Sequence, residues 1–94
     1  MRVAFTPLSI EDMAEIGRYI ALDSPARADS FVTELHTACT ALADLPRAFP
    51  LVPRYERSNI RRRPYGNYLI FYRIREEAVE IIRDLFAGGY VNRR

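Results

Sequence analysis

The chain has 94 residues and a formal net charge of +2. This length fits a single domain over residues 1–94, because domains cluster near roughly 100 to 150 residues. No apolar run approaches the roughly 18 to 20 residues that span a bilayer, and the first residues lack the apolar stretch of a signal peptide, so we expect a cytoplasmic protein without membrane contact. With one cysteine and one histidine, the sequence excludes an internal disulfide and a four-ligand zinc site, and we expect no cofactor.

All 14 basic residues are arginine. Arginine stays charged at any pH and binds carboxylates and phosphates through a planar fork, so this usage suits bidentate contacts with an acidic partner. High-GC codon usage would produce the same bias, and the sequence alone does not separate the two explanations.

The first half of the chain predicts a strand followed by two helices. Residues 2–5 are a short β-prone run closed by Thr6-Pro7. We expect the first helix to begin at Ser9 as its N-cap and to end near Asp23, since apolar residues recur there at the helical spacing.

A second helix is predicted to begin at Ser24, its N-cap, with Pro25 at the first helical position. Its apolar stripe consists of Phe31, Leu35, Ala38, Cys39 and Leu42. Two amphipathic helices joined by so short a link form a hairpin.

The second half predicts a loop and a β-meander. Residues 46–59 hold three prolines within eight positions and are typical of an irregular loop. Gly66-Asn67 is a two-residue hairpin signal, and residues 75–78 provide a second turn. The predicted register pairs Tyr65 with Tyr68, Arg63 with Ile70, Arg61 with Tyr72, Ile74 with Val79, Tyr72 with Ile81, Ile70 with Arg83 and Tyr68 with Leu85.

This register divides the side chains of the meander between two faces. One face is apolar enough to be covered by the helical hairpin, and carries Tyr68, Ile70, Tyr72, Ile74, Val79, Ile81 and Leu85. The other mixes Arg73, Glu80 and Asp84 with the apolar residues Leu69, Phe71, Ile82 and Phe86. Since a solvated face does not need these four apolar residues, we expect another chain to cover part of it or an adjoining groove.

The predicted fold is therefore α+β: a β-strand, an α-helical hairpin, and a three-stranded antiparallel β-meander packed on the hairpin. Residues 88–94 are expected to be a flexible tail.

No catalytic constellation is visible in the sequence. His36 and Cys39 lie three residues apart, but no carboxylate is placed to orient His36 and Cys39 falls on the apolar stripe, so we interpret Cys39 as a core residue. Residues 61–74, "RRRPYGNYLIFYRI", share the basic and aromatic pattern of an RNA-recognition strand. In that motif strands separate the helices, whereas here two consecutive helices precede the meander, which disfavours it.

The order of elements and three segments resemble the ParE branch of the ParE/RelE toxin superfamily of bacterial type II toxin–antitoxin systems. The resemblance covers about residues 3–87. Its segments are "LSIEDMAEIGRYIALDSPARADSFVTEL", "IRRRPYGNYLIFYRI" and "VEIIRDLF". The last is similar to the final strand of the family, with its arginine present as Arg83.

The resemblance implies a toxin that is neutralised by a small, acidic, partly disordered antitoxin, and that does not bind specific DNA sequences alone. ParE-like members inhibit DNA gyrase, and RelE-like relatives cleave messenger RNA on the ribosome. Where the family has histidine and then arginine after the last strand, this chain has Phe86 and Gly89. Cleavage needs a general acid or base and cations near the phosphate, so this departure favours the non-enzymatic gyrase inhibitor over the ribosome-dependent endoribonuclease.

The expected antitoxin- or target-binding residues are Arg61, Arg63, Leu69, Phe71, Ile82, Arg83, Phe86 and Tyr90. In the predicted register Arg61 and Arg83 lie on one face, on opposite sides of the central strand, near enough to share a carboxylate of the partner. Two alternatives stay open. The arginines at 61–63 would be a solvated edge strand whose charges oppose aggregation, or Arg61 and Arg83 would pair inside the chain with Asp12 or Glu15.

Overall fold

The secondary structure follows the predicted order of a strand, a helical hairpin and a meander. A computed structural model describes residues 1–88. Its helices and strands are β1 (Arg2–Phe5), α1 (Pro7–Ala21), α2 (Pro25–Thr40), β2 (Arg61–Tyr65), β3 (Tyr68–Arg75) and β4 (Ala78–Phe86). None of the helices within residues 1–88 has the length and apolar character that would let it cross a membrane.

Helix α1 begins earlier than the sequence predicted. Thr6, not Ser9, is its N-cap: the Thr6 hydroxyl accepts a hydrogen bond from the backbone N–H of Ser9, and Pro7 occupies the first helical position. The Thr6-Pro7 pair therefore both closes β1 and starts the helix. Helix α2 begins as predicted, since the Ser24 hydroxyl accepts from the N–H of Arg27.

The sheet has four strands in the order β1-β4-β3-β2. The meander is antiparallel, and β1 joins it by pairing in parallel with β4, from Arg2 opposite Ala78 to Phe5 opposite Ile81. The helical hairpin forms the crossover between β1 and the meander, as parallel pairing requires. Because β1 stops at Phe5, no strand of residues 1–88 pairs on that side with the part of β4 beyond Ile81.

The predicted register is correct near both turns. Tyr65 lies opposite Tyr68, Arg63 opposite Ile70 and Arg61 opposite Tyr72. On the other side of β3, Tyr72 lies opposite Ile81 and Ile74 opposite Val79. The second turn is made by Glu76 and Glu77, whose φ angles of 53° and 61° fit the tight turn that joins twisted strands.

Beyond Tyr72 the predicted pairing of β3 with β4 is wrong. A bulge places the extra residue Ile82 between the pairs Tyr72–Ile81 and Phe71–Arg83, so Ile70 faces Asp84 instead of Arg83 and Tyr68 faces Phe86 instead of Leu85. Asp84 consequently points toward α2, where it is 2% exposed, and Phe86 packs edge-on against Tyr68. Leu85 moves to the opposite face, beside Ile82 and Phe71.

The core lies between the helical hairpin and the sheet. It contains the predicted stripe of α2 and the apolar face of β3 and β4, namely Met13, Ile16, Phe31, Leu35, Ala38, Cys39, Leu42, Tyr68, Ile70, Tyr72, Val79 and Ile81. Cys39 is buried as predicted, and burial raises the pKa of its thiol. His36 is exposed and stacks on the ring of Phe5 at 5.0 Å, so it does not pair with Cys39.

Candidate functional site

An apolar groove lies on the face of the sheet opposite the helices. Its volume is about 410 Å³. The sheet supplies the floor, with Phe71, Ile82 and Leu85. The proline-rich loop supplies the wall, with Val52, Tyr55 and Ile60, and two arginines, Arg62 and Arg83, complete the lining. We call this surface the outer groove.

The loop is held beside the sheet by hydrogen bonds at both ends. The Tyr72 hydroxyl donates to the carbonyl of Pro46, and the backbone N–H of Arg62 donates to the carbonyl of Pro50. Val52 donates to the carbonyl of Ile60, which closes the loop on itself. The chain's own loop therefore covers part of the face that we expected a partner to cover, and the outer groove remains open.

The segment that supplies the wall of the outer groove is strongly basic. Residues 46–63 contain six arginines and one glutamate, a net charge of +5, so the rest of the chain carries −3. Within the described residues, Arg54, Arg57 and Arg62 form no ion pair. Their positive charges are therefore not neutralised by an ion pair within residues 1–88 and would attract an acidic partner.

Arg61 and Arg63, two of the predicted binding residues, make contacts within the chain. The Arg61 guanidinium donates to the carbonyl of Phe49 at 2.7 Å. That of Arg63 donates to the carbonyl of Ala38 near the end of α2 at 2.8 Å and lies over the Phe49 ring. Both side chains thus help to fix the loop and the last turn of α2.

Arg83 forms an ion pair with Asp12 of α1, the internal alternative left open by the sequence. Its Nε lies 2.8 Å from Oδ2 and its Nη2 3.0 Å from Oδ1, a bidentate contact. The hydrogen bond to Asp12 raises the pKa of the Arg83 guanidinium. Because the bulge places Arg83 opposite Phe71 instead of Ile70, the predicted register that set Arg61 and Arg83 on one face is wrong, and the two arginines bond to different groups of the chain.

The remaining predicted site residues are dispersed. Phe71 and Ile82 lie on the floor of the outer groove. Leu69 is only 7% exposed and is not among the residues that line the groove. Phe86 is 60% exposed but lies on the helix side of the sheet, and Tyr90 lies outside the described residues.

Sequence reasoning missed Val52, Tyr55, Ile60 and Arg62. Three of these belong to the loop. The sequence predicts that the loop is irregular, but it does not predict where the loop lies relative to the sheet. The charge of residues 46–63 was countable from the sequence and would have drawn attention to the loop, but the packing of its apolar residues against the sheet has no periodic signal.

A smaller cleft of about 300 Å³ lies on the other side of Arg83, between α1 and the end of β4. Asp12, Glu15 and Asp84 line it together with Arg83 and Phe86. Three acidic residues against one arginine make this cleft unsuited to a phosphate.

Replacing Arg61 with methionine is expected to lower the free energy of unfolding by about 1.5–3 kcal/mol, because the half-buried carbonyl of Phe49 loses a charged donor. Arg62→Met is the matched control, since no hydrogen bond or ion pair of its side chain is found among residues 1–88. Urea unfolding of both variants measures the difference. Equal stabilities would show that the Arg61 contact contributes nothing to the fold.

The architecture described above defines a class of small α+β proteins, and the comparisons place the chain within it. A solved structure titled "Chromosomal ParDE TA system from P. aeruginosa" matches with a TM-score of 0.67 at 17% identity, covering 92% of this chain and 95% of that one. At that identity the likeness shows the fold alone. No curated protein matches the chain.

The family model for the ParE toxin of the type II toxin–antitoxin system parDE matches residues 3–85. The chain therefore belongs to the ParE toxin family, and the resemblance found in its sequence is confirmed. Membership of a toxin–antitoxin system implies an antitoxin partner.

Proposed function

We propose that this ParE-family toxin inhibits DNA gyrase by protein–protein contact through the outer groove, and that its antitoxin neutralises it by covering the same surface. The observation that carries the proposal is the combination of an apolar floor with Arg62, a rim arginine that forms no ion pair within residues 1–88. A partner segment with apolar side chains beside carboxylates would satisfy both features.

The outer groove suits a polypeptide better than a nucleic acid. Apolar side chains of a polypeptide would remove the surfaces of Phe71, Ile82 and Leu85 from water, which is favourable. Phosphates placed over the same floor would lose part of their hydration, which costs free energy. Arg62 on the rim would supply a planar fork for a carboxylate of the partner.

The alternative function is ribosome-dependent cleavage of messenger RNA. It would need a general acid or base and free cations at the end of β4. That position holds Phe86, and Arg83 beside it is paired with Asp12. These features support the gyrase proposal over the nuclease.

Among the predicted binding residues, Phe71, Ile82 and Arg83 fit this proposal directly because they line the outer groove. Arg61 and Arg63 would contribute by holding the loop that forms the wall. We assign Leu69 and Phe86 no direct contact with the target.

Two assays on the purified chain test the proposal. Added to gyrase and relaxed plasmid, it is expected to reduce supercoiling in proportion to its concentration; added to translating ribosomes, it is expected to leave messenger RNA intact. Co-expression with the antitoxin should remove the inhibition. Codon-specific cleavage together with normal supercoiling would reverse the assignment in favour of the nuclease.

A further inference from the structure

The side chain of Asp84 is buried without adequate hydrogen bonding. It is 2% exposed, and its Oδ2 has no hydrogen-bond partner among the described residues. Within residues 1–88 its Oδ1 accepts a hydrogen bond only from the thiol of Cys39, with Sγ at 3.8 Å, and a thiol is a weak donor. Burying an ionised carboxylate in such surroundings costs far more free energy than burying a neutral carboxyl group.

The stronger hydrogen-bond donors near Asp84, which are the Arg83 guanidinium and a backbone N–H, bond to Asp12. The Asp12 carboxylate accepts two hydrogen bonds from the Arg83 guanidinium and a third, at 2.9 Å, from the backbone N–H of Asp84 itself. Two carboxyl groups therefore lie near one guanidinium, which within residues 1–88 bonds to that of Asp12 and not to that of Asp84. We call Asp12, Arg83, Asp84 and Cys39 the buried acid cluster.

We propose that Asp84 is a proton switch: it is neutral when the folded chain is most stable, and its ionisation weakens the contact between α1 and the end of β4. This device is a property of the chain alone and does not depend on the proposed function.

The groups around Asp84 support a neutral form near pH 6. Burial, and then the negative charge of Asp12, raise the pKa of Asp84 to about 7, while Cys39 and Arg83 act in the opposite direction. The other charged groups that bear on the cluster are Glu15 of α1, through Arg83, and Arg63 of β2, through Cys39. Arg63 donates to the carbonyl of Ala38 and forms no ion pair within the described residues.

A pKa that is higher in the folded chain than in the unfolded chain makes stability fall as pH rises. Below the unfolded-state pKa of about 3.9, Asp84 is protonated in both the folded and the unfolded chain, and no stability is lost. Between that value and about 7 the unfolded chain releases its proton first, so each pH unit lowers the folded-to-unfolded ratio by about tenfold. Above the folded-state pKa, Asp84 is ionised in both the folded and the unfolded chain, and the loss of stability has reached its full size.

Ionisation would place two buried carboxylates, those of Asp12 and Asp84, against the single half-exposed guanidinium of Arg83. Asp12 and Arg83 line the cleft between α1 and β4, and Arg83 also lines the outer groove. A change of structure with pH is therefore expected around Arg83, which lies between the cleft and the outer groove.

The experiment compares the full chain with Asp84→Asn, which keeps the shape of the side chain but cannot ionise. From pH 5 to pH 6.5, urea unfolding of the wild type should show the folded-to-unfolded ratio falling about tenfold per pH unit more steeply than in the variant. At pH 8 the variant should be the more stable of the two. Asp29→Asn, at an exposed position on α2, should follow the wild type.

A second measurement does not depend on any variant. In the wild type labelled with ¹³C at the aspartate carboxyl carbons, the Asp84 signal should titrate with a midpoint near 7, about 3 pH units above an exposed aspartate. A midpoint near 4, parallel pH curves for wild type and Asp84→Asn, or a variant that is less stable than the wild type at pH 8 would each overturn the proposal.

Discussion

Replacement of Arg83 with methionine is expected to destabilise the fold by about 2–4 kcal/mol. Within residues 1–88, the change leaves the Asp12 carboxylate, whose side chain is 8% exposed, with only the N–H of Asp84 as a donor. The apolar stem of methionine retains most of the packing of the arginine stem, so the loss reports the ion pair. Urea or thermal unfolding at pH 7 measures it.

Arg18→Met is the control for this prediction. Arg18 pairs with Glu11 at 3.5 Å, but both side chains are about two-thirds exposed, so its removal is expected to cost less than about 1 kcal/mol. If Arg83→Met is as stable as Arg18→Met and instead loses affinity for gyrase or the antitoxin, Arg83 acts mainly in binding and the internal pair is incidental.

The second large effect is expected at the outer groove. Tyr55→Ala combined with Arg62→Gln should weaken gyrase inhibition at least about tenfold, since an exposed aromatic anchor and an arginine are the residue types that dominate protein interfaces. Tyr55 is 60% exposed, and no hydrogen bond of its side chain is found within residues 1–88, so the fold should be retained. The concentration that halves supercoiling measures the effect.

The matched control carries the same two substitutions elsewhere. Tyr19→Ala with Arg75→Gln changes an exposed tyrosine of α1 and an exposed arginine at the end of β3, neither of which lines the outer groove. This variant should inhibit gyrase like the wild type. Equal losses in both double variants, or none in either, would place the gyrase contact outside the outer groove.

Local sequence determined most of the elements. Ser24-Pro25 begins α2 because a hydroxyl cap and a proline at the first position act within one turn of the chain. The two short turns fixed the pairs nearest to them, such as Tyr65 with Tyr68 and Ile74 with Val79, because a tight turn leaves its flanking residues no other register. The helical stripes likewise identified the core side of α2.

The bulge at Ile82 was not predictable from alternation. The extra residue of a bulge leaves no distinct signal in the sequence of the strand. Strict alternation therefore assigns the residues beyond the bulge to the wrong faces of the sheet. For this reason alternation predicts Asp84 on the outer face and Leu85 in the core, whereas the structure has them reversed.

The candidate site depended even more on tertiary structure. Arg83 and Asp12 are 71 positions apart, and no periodic pattern links them. The sequence alone determined the family, the order of elements, the basic character of residues 46–63 and the apolar residues available for a surface. Only the folded chain decided that β1 joins β4, that the loop packs beside the sheet to form the outer groove, and that Asp12 takes the donors Asp84 lacks. These outcomes arise from contacts between distant segments, whose free energies depend on burial and geometry that local sequence does not contain.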